Sequence, residues 1–145
     1  MEMKVAIGAD HAGFELKQQL ISYLKEKNIP CVDKGTYSTD RADYPDYGHA
    51  VANAVLDKEV VFGILMCGSG NGINISANKH KGIRAALCWK PEIAALARQH
   101  NDANVLVLPA RYMDIKEAQA CVDVFLKEQF EGGRHQGRID KIEIC

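Results

Sequence analysis

The sequence predicts an α/β fold: one domain in which parallel strands form a central sheet and helices cover both of its faces. Three observations carry that prediction. Short apolar runs alternate with longer amphipathic stretches along the chain. No hairpin signal joins neighbouring runs, so crossover helices must connect strands that lie parallel. The runs are continuously apolar, as strands buried on both faces require. At 145 residues, 47% of them apolar, the chain has about one domain's length and can bury its own core.

Residues 4–9 (K-V-A-I-G-A) form the first strand. A helix follows over 13–27, because Leu16, Leu20, Ile21 and Leu24 make one apolar stripe, and Asn28 stops it. Residues 31–34 are a second, short strand. Residues 35–46 are polar and hold a proline; so long a loop in a compact domain points to function. Tyr47, Val51 and Val55 share a face of a helix over 46–58. Residues 60–66 are the third strand, 67–72 a glycine loop, and a helix continues to Lys79. The fourth strand is 83–88. Pro91 opens a helix to His100, its fixed φ suiting the first turn. The fifth strand is 105–108. Asp114 caps a helix to Gln129 with Ile115, Ala118, Val122 and Phe125 inward. Residues 130–145 open on Gly132-Gly133 and hold one more short helix. No repeat or linker divides residues 1–145, so a single domain is expected.

Eighteen Lys and Arg balance nineteen Asp and Glu, for a formal net charge of −1. That balance argues against nucleic-acid or membrane-surface binding, which needs a basic field. No apolar run approaches the roughly 18 residues of a membrane span, and no secretion leader is recognised. The five cysteines (Cys31, Cys67, Cys88, Cys121, Cys145) include no C-x-x-C, which speaks against zinc ribbons and thioredoxin-like sites. A reducing cytoplasm with mostly buried, inert thiols is expected.

Ligands of parallel sheets bind at the carboxyl ends of the strands. Four segments are candidates. Gly8-Ala9-Asp10-His11-Ala12-Gly13 follows the first strand. Phe14 and Glu15 stand where a nucleotide P-loop needs Lys and Ser/Thr, so a carboxylate and an imidazole remain. Asp10 alone would read as a helix cap. Cys67-Gly68-Ser69-Gly70-Asn71-Gly72 follows the third strand. Its glycines allow a turn that aims successive N–H groups at one spot, a nest for an oxyanion. Cys67 sits at the rim, where such a field lowers a thiol pKa from about 8.5 toward neutrality. His100-Asn101-Asp102 precedes the fifth strand, at the wrong end of its own sheet. His100 is either a helix-terminal residue meeting the dipole or a group serving a neighbouring subunit. Arg111 follows the fifth strand. Arg134 and Arg138 are four apart, so on a helix they share a face and suit a phosphate dianion. The competing reading is a solvated basic tail neutralised by Asp140 and Glu143. Gly137 weakens such a helix and is explained by close packing.

Taken in order, G-A-D-H-A-G-F, D-K-G-T, D-Y-P, C-G-S-G-N-G, A-N-K, G-I-R-A, R-Q-H-N-D-A-N and E-G-G-R-H resemble type B ribose-5-phosphate isomerases, in the family that includes galactose-6-phosphate isomerase subunits. The likeness covers essentially the whole chain. It implies a Rossmann-like three-layer sandwich with a five-stranded parallel sheet, in a homodimer or tetramer whose sites combine two subunits. The implied reaction interconverts ribose 5-phosphate and ribulose 5-phosphate through a cis-enediolate in the pentose phosphate pathway, with neither cofactor nor metal. The resemblance makes Cys67 the base, with Ser69 and the amides of Gly68, Gly70, Asn71 and Gly72 holding the enediolate oxygens. His100 and Asp10 open the sugar ring, and Asn101 binds the sugar. His11, Arg111, Arg134 and Arg138 hold the phosphate, and Tyr44 lines the pocket. A subgroup with a glutamate base just after the loop is set aside, because Ile73 stands there. The alternatives are an isomerase of a hexose 6-phosphate (allose or galactose), a non-catalytic sugar-phosphate-binding regulator and, more weakly, a thiol redox enzyme. Residues 130–145, without a place on their own sheet, are expected to pack on a partner subunit.

Overall fold

A computed structural model describes residues 2–144; Cys145 lies outside the described residues. The elements run β1 (Val5–Ala9), α1 (Phe14–Glu26), β2 (Cys31–Asp33), α2 (Tyr44–Leu56), β3 (Phe62–Cys67), α3 (Asn71–Asn78), β4 (Ala85–Leu87), α4 (Pro91–Asn101), β5 (Val105–Pro109), α5 (Ile115–Lys127) and α6 (Arg134–Ile139). A single 3-10 turn, Ala110–Tyr112, joins β5 to α5. All strands pair in parallel in the order β2-β1-β3-β5-β4. This is the three-layer α/β arrangement expected. No helix of the described residues is long and apolar enough to cross a membrane.

The strands alternate their side chains between two cores. Ile7, Ile64, Met66, Leu106 and Leu108 face α1, α4 and α5, together with Leu20, Leu24, Val122 and Phe125. Ala6, Leu65, Val105 and Val107 face α2 and α3, together with Val51, Ala52, Ile73 and Ala77. On that second face, glycines let α2 lie close. A Cβ at Gly63 would stand 2.5 Å from Val51 Cγ1, and one at Gly8 2.9 Å from Val51 Cγ2. Val51 thus fills a hollow between β1 and β3.

Lys17 on α1 is fully buried, and its Nζ donates to both Asp33 oxygens at 2.8 Å and to Gln18 Oε1 at 3.0 Å. Removing either partner would strand a charge, so this pair fastens α1 to β2. Asp33 Oδ1 also accepts from the Gly35 N–H at 2.9 Å. Beyond β2 the chain keeps hold of β1: Ala9 N donates to Gly35 O (2.8 Å) and Thr36 N to Ala9 O (2.7 Å). The start of the long polar loop is thereby brought beside Asp10.

Several boundaries differ from expectation, among them these three. α2 begins at Tyr44, two residues early, because Asp43 takes the extended cap position and Pro45 fits the first turn. β4 is only three residues long. The Asn104 side chain, rather than a strand ladder, holds its approach: Arg84 N donates to Asn104 Oδ1 (2.8 Å) and Asn104 Nδ2 to Gly82 O (2.9 Å). α5 ends at Lys127, two residues short. Its start is as expected: Asp114 accepts from Glu117 N at 2.8 Å, and Glu117 Oε1 accepts from Asp114 N at 3.1 Å.

Burial pushes the thiols of Cys31 and Cys88 up to about 12 and that of Cys121 up to about 11, so these three are inert at neutral pH.

Gly63→Ala should destabilise the fold by about 1–3 kcal/mol, the usual cost of overpacking. Adding Val51→Ala should return most of that loss. Chemical denaturation of the two single variants and the double checks this, and additive losses would contradict the account of the hollow.

Candidate active site

Cys67 ends the central strand β3, directly opposite Pro109 of β5. The chain then turns through Gly68–Gly70 into α3. Gly70 carries φ +82°, and a Cβ there would stand 2.4 Å from Leu87 Cδ1, so only glycine makes this corner. Ser69 Oγ accepts from Asn71 N at 3.2 Å and closes the turn. The main-chain N–H groups of Ile73, Gly70 and Gly72 lie close enough to the Cys67 sulfur to favour its charged form.

Side chains from neighbouring strands enclose this loop. Tyr44, the first residue of α2, lays its ring on Gly72, where a Cβ would meet ring atoms at 2.5–2.9 Å. Arg111 N donates to Gly68 O at 2.9 Å, and its guanidinium lies over Gly68, 3.1 Å from where a Cβ would stand. Asp10 comes from the end of β1. Its Oδ1 accepts from Ala12 N (3.0 Å) and Gly13 N (3.2 Å), so it does help start α1. The same carboxylate also reaches Cys67 electrostatically. His11 Nδ1 lies 3.2 Å from both the N–H and the carbonyl oxygen of Ala42, which ties the imidazole to the long loop. The carboxyl end of the sheet thus carries Asp10, His11, Cys67 to Gly72 and Arg111, with Tyr44 laid on Gly72.

The thiol differs from expectation. Cys67 is 5% exposed, and burial pushes its pKa above the ordinary value. The three amides pull it down and the Asp10 carboxylate pushes it up again; desolvation wins. In the isolated chain the sulfur is therefore a protonated thiol at neutral pH, not the thiolate anticipated from the amide nest alone.

The other half of the anticipated set lies at the opposite end of the sheet. His100 and Asn101 close α4 and precede β5. From Val105 to Pro109, the partner of Cys67, β5 rises four residues, about 13 Å at 3.3 Å each. The His100–Asn101 turn is below even that start. Two buried or half-buried arginines, absent from the anticipated site, hold it rigid. Arg84 Nε donates to Asn101 O and Asp102 O, both at 3.0 Å. Arg98 Nη1 donates to Asp102 Oδ1 (2.9 Å) and Ala103 O (2.6 Å). Asp102 itself is left-handed, with φ 45°. The signal for Arg98 in the sequence is the R-x-x-x-D pair inside R-Q-H-N-D; Arg84 has none.

α6 packs on this end of α4. The His100 and His135 rings stack with centroids 4.4 Å apart, and Glu131 N donates to Gln99 O at 3.0 Å. Arg134 and Arg138 share the exposed face of α6 and make no ion pair among the described residues. Asp140 and Glu143 do not neutralise them: Asp140 accepts from Gln136 Nε2 (2.8 Å) and Glu143 from Gly82 N (3.0 Å). Gly137 faces open space within its own chain, so close packing there does not explain it.

Comparison with known proteins follows this geometry closely. The family model described as Ribose/Galactose Isomerase matches residues 5–142. The chain is 50% identical to ribose-5-phosphate isomerase B of Escherichia coli over 139 residues, 96% of this chain and 93% of that protein. A crystal structure of a ribose 5-phosphate isomerase from Thermotoga maritima superposes with a TM-score of 0.96 at 51% identity, covering 98% of both chains. Ribose-5-phosphate isomerase B from Mycoplasma genitalium, solved with bound ribulose 5-phosphate, gives a TM-score of 0.92 at 46% identity over 98% of this chain and 95% of that one.

Alkylation of Cys67 by iodoacetamide should accelerate with pH toward a midpoint above the ordinary thiol value of about 8.5. Asp10→Asn should lower the midpoint, since the carboxylate raises it. Rates followed by mass spectrometry from pH 6 to 11, with Cys67→Ser as blank, test this. A midpoint near neutrality would contradict the dominance of burial.

Proposed function

The chain belongs to the ribose/galactose isomerase family, and from that membership we propose that it interconverts ribose 5-phosphate and ribulose 5-phosphate. The observation that carries the reading is the convergence of three main-chain donors on the Cys67 sulfur, in a crevice shared with Asp10 and Arg111. Aldose–ketose isomerisation needs one base, donors for an oxyanion and an anchor for the phosphate. This crevice offers all three.

In the proposed reaction the Cys67 thiolate takes the proton from C2 of the open-chain aldose. The C2–H electron pair becomes the enediolate double bond, and the carbonyl electrons move onto O1. Ser69 and the amides of Gly68, Gly70, Asn71 and Gly72 donate to the enediolate oxygens, an effect worth roughly 3–4 kcal/mol per good donor. The proton then returns to C1, and the O2 proton passes to O1, giving the ketose with no net loss of atoms or charge. Asp10 and His100 assist ring opening, Asn101 binds the sugar and Tyr44 lines the pocket. His11, Arg111, Arg134 and Arg138 hold the phosphate and fix the register of the reacting carbons.

Because His100, Asn101, Arg134 and Arg138 sit at the far end of their own sheet, they act on a second copy's crevice. The protein works as a homodimer, or a tetramer built from such dimers, in the cytoplasmic pentose phosphate pathway. No cofactor or metal enters the scheme. The family description spans ribose and galactose isomerases, so six-carbon sugar phosphates are the second substrate class to assay. A sugar-phosphate-binding regulator would bind without turnover.

Ribose 5-phosphate should be converted by the wild type, and Cys67→Ala should abolish turnover. kcat/KM should favour the pentose over allose and galactose 6-phosphates. Mixing inactive Cys67→Ala and His100→Ala chains under exchange should restore about a quarter of wild-type activity, since half of the dimers regain one intact site of two. Absence of turnover by the wild type would sink the assignment. Absence of rescue on mixing would sink only the sharing of the site.

A further inference from the structure

The feature outside the Cys67 loop that most calls for an explanation is the ion pair between α1 and β2. Lys17 is fully buried, with the rings of Phe14 and Tyr37 centred 5.3 and 5.7 Å from its Nζ. A buried pair offsets its desolvation poorly, and two apolar side chains of similar shape usually hold a fold as well or better. Fastening α1 to β2 therefore does not by itself account for charges at this place. What the charged pair adds is direction, because it donates and accepts at fixed points.

The hydrogen bonds around the pair lead to Asp10 by two routes. One runs through α1. Lys17 N donates to Gly13 O at 2.9 Å, one turn after the Ala12 and Gly13 amides that hold Asp10 Oδ1. The other runs through β2, whose last residue is Asp33. Asp33 Oδ1 accepts from Lys17 Nζ at 2.8 Å and from Gly35 N at 2.9 Å. Gly35 O and Thr36 N then bond to Ala9, the residue before Asp10, on the side of β1 opposite β3. Farther along the same loop, Ala42 lies against His11, the residue after Asp10. Asp10 is thus held through its carboxylate by the start of α1 and through both its neighbours by the loop. The Lys17–Asp33 pair ties helix and loop together.

We infer that Lys17 and Asp33 are positioning residues for Asp10: their ion pair locks the start of α1 to the loop after β2 and so keeps the Asp10 carboxylate in its place beside the Cys67 loop. The positioning stands on these bonds alone. Its consequence for turnover rests on the proposed isomerase reading, in which Asp10 assists ring opening. Lys17, being fully buried, acts only through Asp10.

The Cys67 thiol reports where Asp10 stands, because that carboxylate raises the pKa of the sulfur. Loss of the Lys17 cation, which leaves Asp33 unpaired, would as a bare charge effect raise the thiol's midpoint; displacement of Asp10 lowers it. The opposite signs make a fall diagnostic. Alkylation of Cys67 by iodoacetamide from pH 6 to 11 should show a lower midpoint in Lys17→Met than in wild type. It should approach that of Asp10→Asn, and combining the two changes should lower it no further. Lys34→Met, which breaks the neighbouring surface pair with Glu59, should keep the wild-type midpoint. Lys17→Met/Asp33→Leu removes both charges and should regain thermal stability. Its midpoint should stay low, since Gly35 N has lost its acceptor.

A midpoint at or above that of wild type in either Lys17 variant, a further fall on adding Asp10→Asn, an equal fall in Lys34→Met, or failure of both Lys17 variants to fold would each reduce the pair to a fastening and overturn the inference. In Lys17→Met, kcat for ribose 5-phosphate should fall by about 100-fold, the usual cost of a misplaced group. Undiminished kcat with a lowered midpoint would keep the positioning and overturn its consequence for turnover. Absence of turnover by the wild type would sink the isomerase reading and leave the alkylation result standing.

Discussion

The main-chain N–H groups of Gly70, Gly72 and Ile73, aimed at the sulfur that ends the central strand, are the constraint on which the rest of the crevice depends. They converge only because β3 delivers Cys67 to a turn whose corner, Gly70, is left-handed. They stay converged because α3 starts at once behind that turn. Each neighbouring group is then registered on the loop. β1 brings Asp10 alongside, β5 lays Arg111 over Gly68, and the first turn of α2 sets Tyr44 on Gly72. Glycine is required at the loop for two separate reasons, conformation at Gly70 and ring approach at Gly72.

The same topology that builds one half of the site exiles the other. A helix that crosses back to begin β5 must end at the amino-terminal edge of the sheet, so His100 and Asn101 cannot reach the Cys67 loop of their own chain. The chain nevertheless invests in holding that turn. Arg84 and Arg98 bind its carbonyls and the Asp102 carboxylate, and α6 stacks His135 against His100. A turn held in this way, with two arginines beside it, Arg134 and Arg138, that make no ion pair among the described residues, fits the half-site that the proposed function assigns to a second copy. Under the proposed reading, association would complete a site rather than merely bury surface.

Much of this arrangement is legible in the sequence, for physical reasons that also mark where legibility stops. Strands buried on both faces leave unbroken apolar runs, so the sheet and its crossovers are visible, as is the glycine loop after the third of them. The Asp114 capping box is equally local. The short β4 is not, because a side chain distant in sequence, Asn104, holds the residues that lead into it. The role of Arg84 escapes for the same reason, since it binds Asn101 and Asp102 from far along the chain, whereas the Arg98–Asp102 pair is local. His135 lies inside a motif whose arginines attract notice, and only its contact with α4 makes it matter. The Cys67 thiol is the clearest limit. Amide donors can be counted from glycines, but desolvation depends on how closely the second core packs around the sulfur.

That desolvation is compatible with the base role proposed for Cys67. A carbon acid is a poor proton donor, and a stronger base removes its proton faster; the useful rate is the product of base strength and the fraction ionised. Burial reduces the ionised fraction and raises the strength, so the two partly offset each other. Burial also favours the outcome of the step, because the sulfur becomes a neutral thiol that the enclosed pocket solvates better than its anion. The negative charge meanwhile passes from sulfur to the enediolate oxygens. Donors aimed at that small region serve the thiolate before transfer and the oxyanion after it, with little reorganisation between. A buried thiol on an amide nest is thus matched to moving one proton between adjacent carbons.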